Sequence, residues 1–347
     1  MPRGVCFCHA LSSQLQNEQR SPISSLDVVG RLTLQQKGHH LPNPLFSVVI
    51  PVFNGESFVA DAIESVLAQE GASFQLIVVD DGSMDSTADI LNRFGPILLV
   101  HRQVNRGPSA ARNAGITYMR GEFALFLDAD DLLPDGYLRR FELAAREAPE
   151  VEVFHCGWRG VTFDGRPLFE QEEPLRIDAD PFHELPVLGM PHISSMVVRR
   201  SLVERIGGFD SGLPLQEDWD YALRLSASGA RFRGVPGNVA IIRRHPDSLS
   251  AMRRPEMAAF GLAVLERHLR FHPHCSSCAK ARVGLQMWQR AVLRADAQRL
   301  ATRLRLTGRT ARWIGLLFAT MRHPRLVAAG LLEAIERLRR FAGSLNC

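Results

Sequence analysis

From Phe46 onward the chain alternates two textures. Short β-branched or apolar runs, FSVVIPVF, FQLIVVD, PILLVHR and FALFLD, predict strands starting at Phe46, Phe74, Pro96 and Phe123. Between them ESFVADAIESVLAQE, STADILNRF and the stretch from Ser109 to Met119 repeat apolar residues at three-to-four spacing, the mark of amphipathic helices. Strand and helix alternate roughly every 25 residues, which predicts an α/β fold with a mostly parallel sheet and right-handed crossovers. The strands are almost continuously apolar, as a sheet covered on both faces requires.

After Pro149 the order loosens. VEVFHCGWRGVTF predicts strand, turn and strand; HISSMVVRRSLVERIGGFD predicts a strand and a short helix stopped by Gly207 and Gly208. EDWDYALRLSASG predicts a helix whose acidic residues occupy the first turn, where the helix dipole favours them. VAIIRRHP is a last strand, and everything from Pro255 predicts helix with Arg between apolar positions. Residues 1–44 are rich in Ser, Gln, Pro and His without sustained apolar period, and predict a disordered leader. The expected division is thus a leader (1–44), an α/β domain (45–250) and a basic α-helical C-terminal extension (251–347).

Charge sharpens that division. The net +4 conceals a tail, residues 255–347, with 16 Arg/Lys against 5 Asp/Glu, so that the rest of the chain carries −7. A basic tail points to an anionic surface, and Trp313, Ile314, Leu316, Leu317 and Phe318 offer an apolar face for peripheral membrane contact. Helical capping or dimer packing is its plainer role. No aromatic-basic platform or nucleic-acid motif accompanies it, which argues against nucleic acid as a partner. The longest uncharged apolar run there, Trp313 to Met321, falls short of the roughly 20 residues needed to cross a bilayer. Six cysteines are too few for a disulfide framework, and the N-terminus has no secretory pattern, so a cytoplasmic protein is expected. The cluster His272, His274, Cys275 and Cys278 has zinc-ligand chemistry, but four ligands crowded into seven positions suit a polar loop better than a tetrahedral site.

Ligands of open α/β sheets bind beyond the carboxyl ends of the strands. Each predicted strand end here carries candidate ligand-facing residues: Pro51, Phe53 and Asn54; Asp80 and Asp81; the loop NRGPSAARNAG; and Asp128, Asp130 and Asp131. Asp85 reads as a helix-capping residue, whereas a carboxylate pair behind a strand, Asp80 and Asp81, could accept hydrogen bonds from a base imide or a ribose hydroxyl. Asp128 and Asp130 share one side of an extended segment and repel unless a cation intervenes; a hard Mg²⁺ or Mn²⁺ answers that. Asp131 or Asp135 would serve as a cap for the helix expected near Pro134. Glu217, Asp218 and Asp220 read equally well as simple acidic capping, and Trp219 as a sugar-stacking or a core residue.

Together the run VVIPVFN…VDDGSMDST…NRGPSAARNAG…LDADD…GGFD…EDWDYALRL resembles glycosyltransferase family 2, over about residues 46–250 and with these motifs in the family's order. Phe53 and Met84 stand where that family commonly has Tyr and Thr. The resemblance implies a GT-A, Rossmann-like fold and an inverting, non-processive enzyme transferring a sugar from a nucleoside-diphosphate sugar. It implies that Pro51, Phe53, Asn54 and Glu56 line the nucleotide pocket, that Asp81 with Asp80 reads the base, and that Arg112 lies against the nucleotide. It further implies Asp128 on the ribose, Asp130 and His245 at a metal, Asp218 as catalytic base, and Glu217 and Trp219 on the acceptor side. Asp81 leans the donor towards a UDP- or dTDP-sugar; the acceptor would be a glycan or a lipid-linked glycan. RTARW, Arg309 to Trp313, lacks the Gln of the processive synthase motif, in keeping with single transfer. The implied setting is surface-polysaccharide assembly at the inner face of the cell membrane. Two rivals are a nucleotidyltransferase, which would want a Gly-rich, basic triphosphate loop that IPVFNGES lacks, and a scaffold protein that has lost catalysis, against which Asp130 and Asp218 both argue.

Overall fold

The computed structural model describes residues 43–245, 248, 254–269, 284–290 and 292. Residues 1–42 of the leader, the His272–Cys278 cluster and the basic segment around Trp313 lie outside the described residues. Four strands, β1 (Phe46–Val52), β2 (Phe74–Asp80), β3 (Leu99–Arg102) and β4 (Phe123–Phe126), pair in parallel in the order β3-β2-β1-β4. Helices α1 (Val59–Leu67), α2 (Thr87–Arg93) and α3 (Pro108–Ile116) connect them. The third strand starts later than its apolar run: Gly95–Ile97 forms a 3₁₀ turn. Pro96 suits that turn, because its φ is preset and it has no N–H to give a ladder.

Beyond β4 the sheet becomes mixed. β7 (Met196–Arg199) lies against β4, and β5 (Val153–Thr162) against β7; β6 (Pro167–Gln171) closes a hairpin on β5, and β8 (Phe232–Arg244) runs parallel to β5. The expected strand-turn-strand of residues 151–163 is one long strand instead. Gly157 marks a register shift against β8 rather than a turn, and the backbone of Gln171 and Glu172 occupies the space a Cβ at Gly157 would need. The turn falls later, at Asp164 and Gly165. Four further helices complete the α/β body: α4 (Tyr137–Glu147), α5 (Pro181–Leu188), α6 (Arg200–Ile206) and α7 (Glu217–Ala227).

Strand alternation feeds two cores. Val48, Ile50 and Val52 of β1 join one face with α1 and α4, while Val49 points to the other with α3 and α7. Helix α8 (Arg254–Leu269) contributes Val264 and Leu265 to that second core, so it packs on the body. No helix among the described residues is long and apolar enough to cross a membrane.

Candidate active site

The carboxyl ends of β1, β2 and β4, with the starts of α3 and α7 and the end of β8, enclose one cleft of about 900 Å³. That is ample for a nucleotide and a sugar. Pro51, Phe53, Asn54, Glu56, Asp81, Arg112, Asp128, Asp130, Glu217, Asp218 and His245 all line it. The convergence expected from the strand ends is therefore realised, and the antiparallel half supplies the opposite wall.

The first two loops are sewn together at the cleft floor. Asn54, whose φ of 49° is left-handed, accepts from the Met84 N–H through Oδ1 at 2.8 Å, and its own N–H donates to Ser83 Oγ at 2.9 Å. Glu56 Oε2 accepts from the Ser86 N–H at 3.0 Å, and the Glu56 N–H donates to Asp85 Oδ2 at 3.0 Å. Asp85 also accepts from the Thr87 N–H at 3.0 Å, so it organises the start of α2. Asp81 accepts from Gln103 Nε2, the Arg106 N–H and the Gly107 N–H at 2.7, 3.0 and 2.8 Å. A carboxylate has about four lone-pair sites, so Asp81 keeps capacity towards the cleft. Asp80 does not reach it. Its carboxylate turns back to the Ser83 N–H at 2.8 Å and to Arg102 Nε at 3.3 Å, because consecutive residues at a strand end face opposite ways.

The acidic wall is balanced by two buried arginines. Arg112 Nη2 donates to Asp128 Oδ1 at 2.7 Å and Nη1 to Glu217 Oε1 at 2.9 Å, joining the ends of β4 and α7. Arg243 donates through Nε to the Asp130 carbonyl at 2.5 Å and through Nη1 to Asp61 at 2.5 Å. Burial alone would raise the Asp128 carboxyl, but Arg112 and then His192 outweigh it and hold Asp128 below its ordinary value. Asp130 is raised by burial and then by the charge of Asp128, with partial relief from His245, whose Nε2 lies 3.1 Å from Asp130 Oδ2. Asp131 is raised well above the usual range by burial and its two acidic neighbours. It is not a helix cap: α4 is preceded by Gly136 in the capping position, with no side-chain cap, and Asp131 accepts from Ser194 Oγ at 2.6 Å instead.

Asp218 sits at the start of α7 on the far wall. Burial, and then the neighbouring Glu217 carboxylate, push it up to about 7 against the pull of Arg112. Trp219 turns the other way, into the second core beside Ala222 and Leu223, and is 6% exposed. It does not face the cleft, which removes it as an acceptor platform; the helical period puts residues 219, 222 and 223 on one inward face.

His192 carries no motif in the sequence. It precedes a 3₁₀ turn, Ile193–Ser195, lines the cleft and lies 3.5 Å from Asp131 through Nδ1. Burial lowers its imidazole to about 4, so it is neutral and able to ligate a metal. The apolar run LPVLGMP before it gives no local signal of a cleft residue.

Ligand atoms of Asp128, Asp131 and His192 lie within 4.8 Å of one another, and Asp130 with His245 stands beside them. The buried His245 Nδ1 has no partner among the described residues. An oxygen-rich, mutually repelling donor set with a spare imidazole nitrogen fits a hard divalent cation.

The profile described as Glycosyl transferase family 2 matches residues 47–207. The chain is 31% identical over 240 residues to the succinoglycan biosynthesis protein ExoO of Rhizobium meliloti, covering 65% of this chain and 68% of that one. It is 29% identical over 185 residues to an uncharacterized glycosyltransferase of Rickettsia typhi, covering 51% of this chain and spanning 57% of that relative's length. Among solved structures, a mannosyltransferase of Pyrobaculum calidifontis in complex with GDP-Man and Mn²⁺ matches with a TM-score of 0.55 and 19% identity, over 89% of this chain and 88% of that one. This last likeness is one of fold, the GT-A arrangement of a mixed sheet between helices. With these matches and a strand-end cleft of the expected composition, the chain belongs to glycosyltransferase family 2.

Proposed function

We propose that the protein is a metal-assisted, inverting glycosyltransferase that moves a sugar from a nucleoside-diphosphate donor to an acceptor hydroxyl, with Asp218 as general base. The observation that carries this reading is one cleft with Asp128 and Asp130 on one wall and, on the other, a carboxyl raised to about 7. A base poised near neutral pH can both be ionised and take a proton from a hydroxyl. The acceptor oxygen bonds to the anomeric carbon as the bond to the diphosphate breaks, and its proton passes to Asp218. A single displacement with one base inverts the configuration.

Asp130 and His245 would hold the divalent cation, Mg²⁺ or Mn²⁺, beside Asp128 and His192. When bound, that ion supplies positive charge for the leaving diphosphate. Arg112 keeps Asp128 ionised and oriented, ready to accept from a ribose hydroxyl, and Asp81 offers its spare lone pair to a base imide, which favours a UDP- or dTDP-sugar. Glu217 serves the acceptor side by holding Asp218 near neutrality. A role in polysaccharide assembly at the inner membrane face is supported by the likeness to a succinoglycan biosynthesis protein; a lipid-linked or free glycan is the acceptor of that reading.

Thermal shift with UDP-, dTDP- and GDP-sugars, with and without Mn²⁺, tests the donor half. Asp218→Asn should keep the donor-induced shift and lose transfer. Normal transfer by Asp218→Asn would remove Asp218 as the base.

A further inference from the structure

The start of α7 carries the proposed base, yet little in its own sequence holds it. Its first flanking residue, Gln216, makes no side-chain cap and sits at φ 65°, a left-handed conformation costly for a residue with a Cβ. The restraints come from the C-terminal helices. Gln216 Nε2 lies 3.7 Å from Met257 Sδ of α8, and Met257 also lines the cleft. Trp219 meets Trp288 edge-on, with ring centroids 5.3 Å apart. Trp288 in turn fills the space over Gly261 of α8 that any Cβ would claim.

The polar contact is the most specific. Asp220 is fully buried and accepts from Arg224 Nε at 2.7 Å through Oδ2, while His268 Nε2 of α8 lies 2.8 Å from Oδ1. Burial alone would raise Asp220, but His268 and Arg224 outweigh it, so the carboxylate is ionised and His268 donates to it. Arg267, one residue earlier, donates to Asp210 at 2.8 Å in the loop that leads into α7. Residues 216, 219 and 220 thus rest on the C-terminal helices, while Glu217 is held by Arg112. Asp218 lies between these two restraints.

We propose that α8 is the element that aims the base: His268, through Asp220, and Met257, through Gln216, are positioning residues for Asp218. This rests on the reading of Asp218 as the base. The role goes beyond core packing, because an apolar helix could cover α7 without a buried carboxylate–imidazole pair two residues from the base.

The test compares His268→Leu with His268→Gln, whose amide can still donate to Asp220. Turnover is read as nucleoside diphosphate released from UDP-glucose, dTDP-glucose or GDP-mannose, to water or an octyl glucoside acceptor. Donor affinity is read by calorimetry, and the Asp218 carboxyl by its ¹³C chemical shift at pH 8. His268→Leu should lower kcat about tenfold or more, as a displaced catalytic group does, with donor Kd changed less than about twofold on that account. The Asp218 signal should move in His268→Leu, and His268→Gln should restore both kcat and the signal. A folded His268→Leu with unchanged kcat and an unmoved Asp218 signal would overturn the proposal, as would a loss of donor affinity parallel to the loss of kcat. If His268→Leu does not fold, Gln216→Gly, which relieves the left-handed strain, takes its place: the same kcat loss supports the proposal and full activity overturns it. An inactive Asp218→Asn beside a fully active His268→Leu would sink this inference alone; an active Asp218→Asn would sink the base assignment itself.

Discussion

With Asp218 as the proposed base, activity and stability share one pH window and move in opposite directions through it. Its carboxyl moves from an ordinary 3.8 to about 7 on folding, through burial and the charge of Glu217. A raised acid favours the folded state while both forms are protonated, and that advantage is lost as pH rises from about 4 through about 7. Integrated between pH 5 and pH 8, the loss is about 2.5 kcal/mol. Asn at this position has the same shape and no charge to bury, so Asp218→Asn should escape the loss. Its stability relative to wild type should therefore climb by about 2.5 kcal/mol from pH 5 to pH 8. Urea unfolding of both proteins at pH 5, 6, 7 and 8, followed by Trp fluorescence, measures that difference without any substrate. Glu217→Gln removes the like charge and lets Arg112 act more fully on Asp218, so in that background the climb should shrink. A difference between wild type and Asp218→Asn that stays flat across this range would refute the account, and with it the claim that Asp218 is a near-neutral base.

Other outcomes follow from the same geometry. Arg112→Met leaves Asp128 and Glu217 as buried carboxylates with their shared cation gone, and should cost about 3–5 kcal/mol in urea unfolding; Arg112→Lys should rescue little, since an ammonium cannot span both partners as the fork does. Asp130→Ala should abolish the Mn²⁺-dependent part of the nucleotide-sugar thermal shift while leaving the protein folded, and retention of that part would move the metal to other residues. Gly121→Ala places a Cβ 2.5 Å from both the Phe46 carbonyl carbon and the Ser47 nitrogen of the central strand, so it should destabilise by about 1–3 kcal/mol, read as a lowered urea midpoint.

Much of this architecture is written locally. FQLIVVD becomes β2 residue for residue, because a strand buried on both faces reads as a nearly continuous apolar run, here broken only by Gln75 before it ends at Asp80. The acidic rim is legible from the same contrast: carboxylates set directly behind apolar strands repel one another and lose hydration unless a cation or a ligand meets them. What sequence does not reveal depends on register or on distant partners. Whether Trp219 faces the cleft or the core turns on a 100° step of one helix, which composition does not reveal. Asp80 and Asp81 look alike in sequence, and only the pleat of β2 decides which one faces the cleft. The Arg112–Glu217 bridge joins residues 105 positions apart, and no local pattern announces it. The β5–β6 hairpin is hidden because PLFEQ is an exposed edge with no inward face to show alternation.

The two walls of the cleft have separate ancestries of support. The wall with Asp81, Asp128 and Asp130 stands on β1, β2 and β4, while the wall with Asp218 stands on α7, backed by α8, beyond residue 207 where the family match ends. An enzyme built in this way can exchange one wall and keep the other. A graft of residues 208–230 from a relative would meet the host at the Arg112 bridge to Glu217, the packing of Phe126 against Phe209 and Tyr221 and the Asp220 contact with His268, and would leave β8, with Arg243 and His245, in the host. On the proposed reading, chimeras that preserve those seams should keep the host's donor preference and take the guest's acceptor preference, a division of labour set by which helix leans on which.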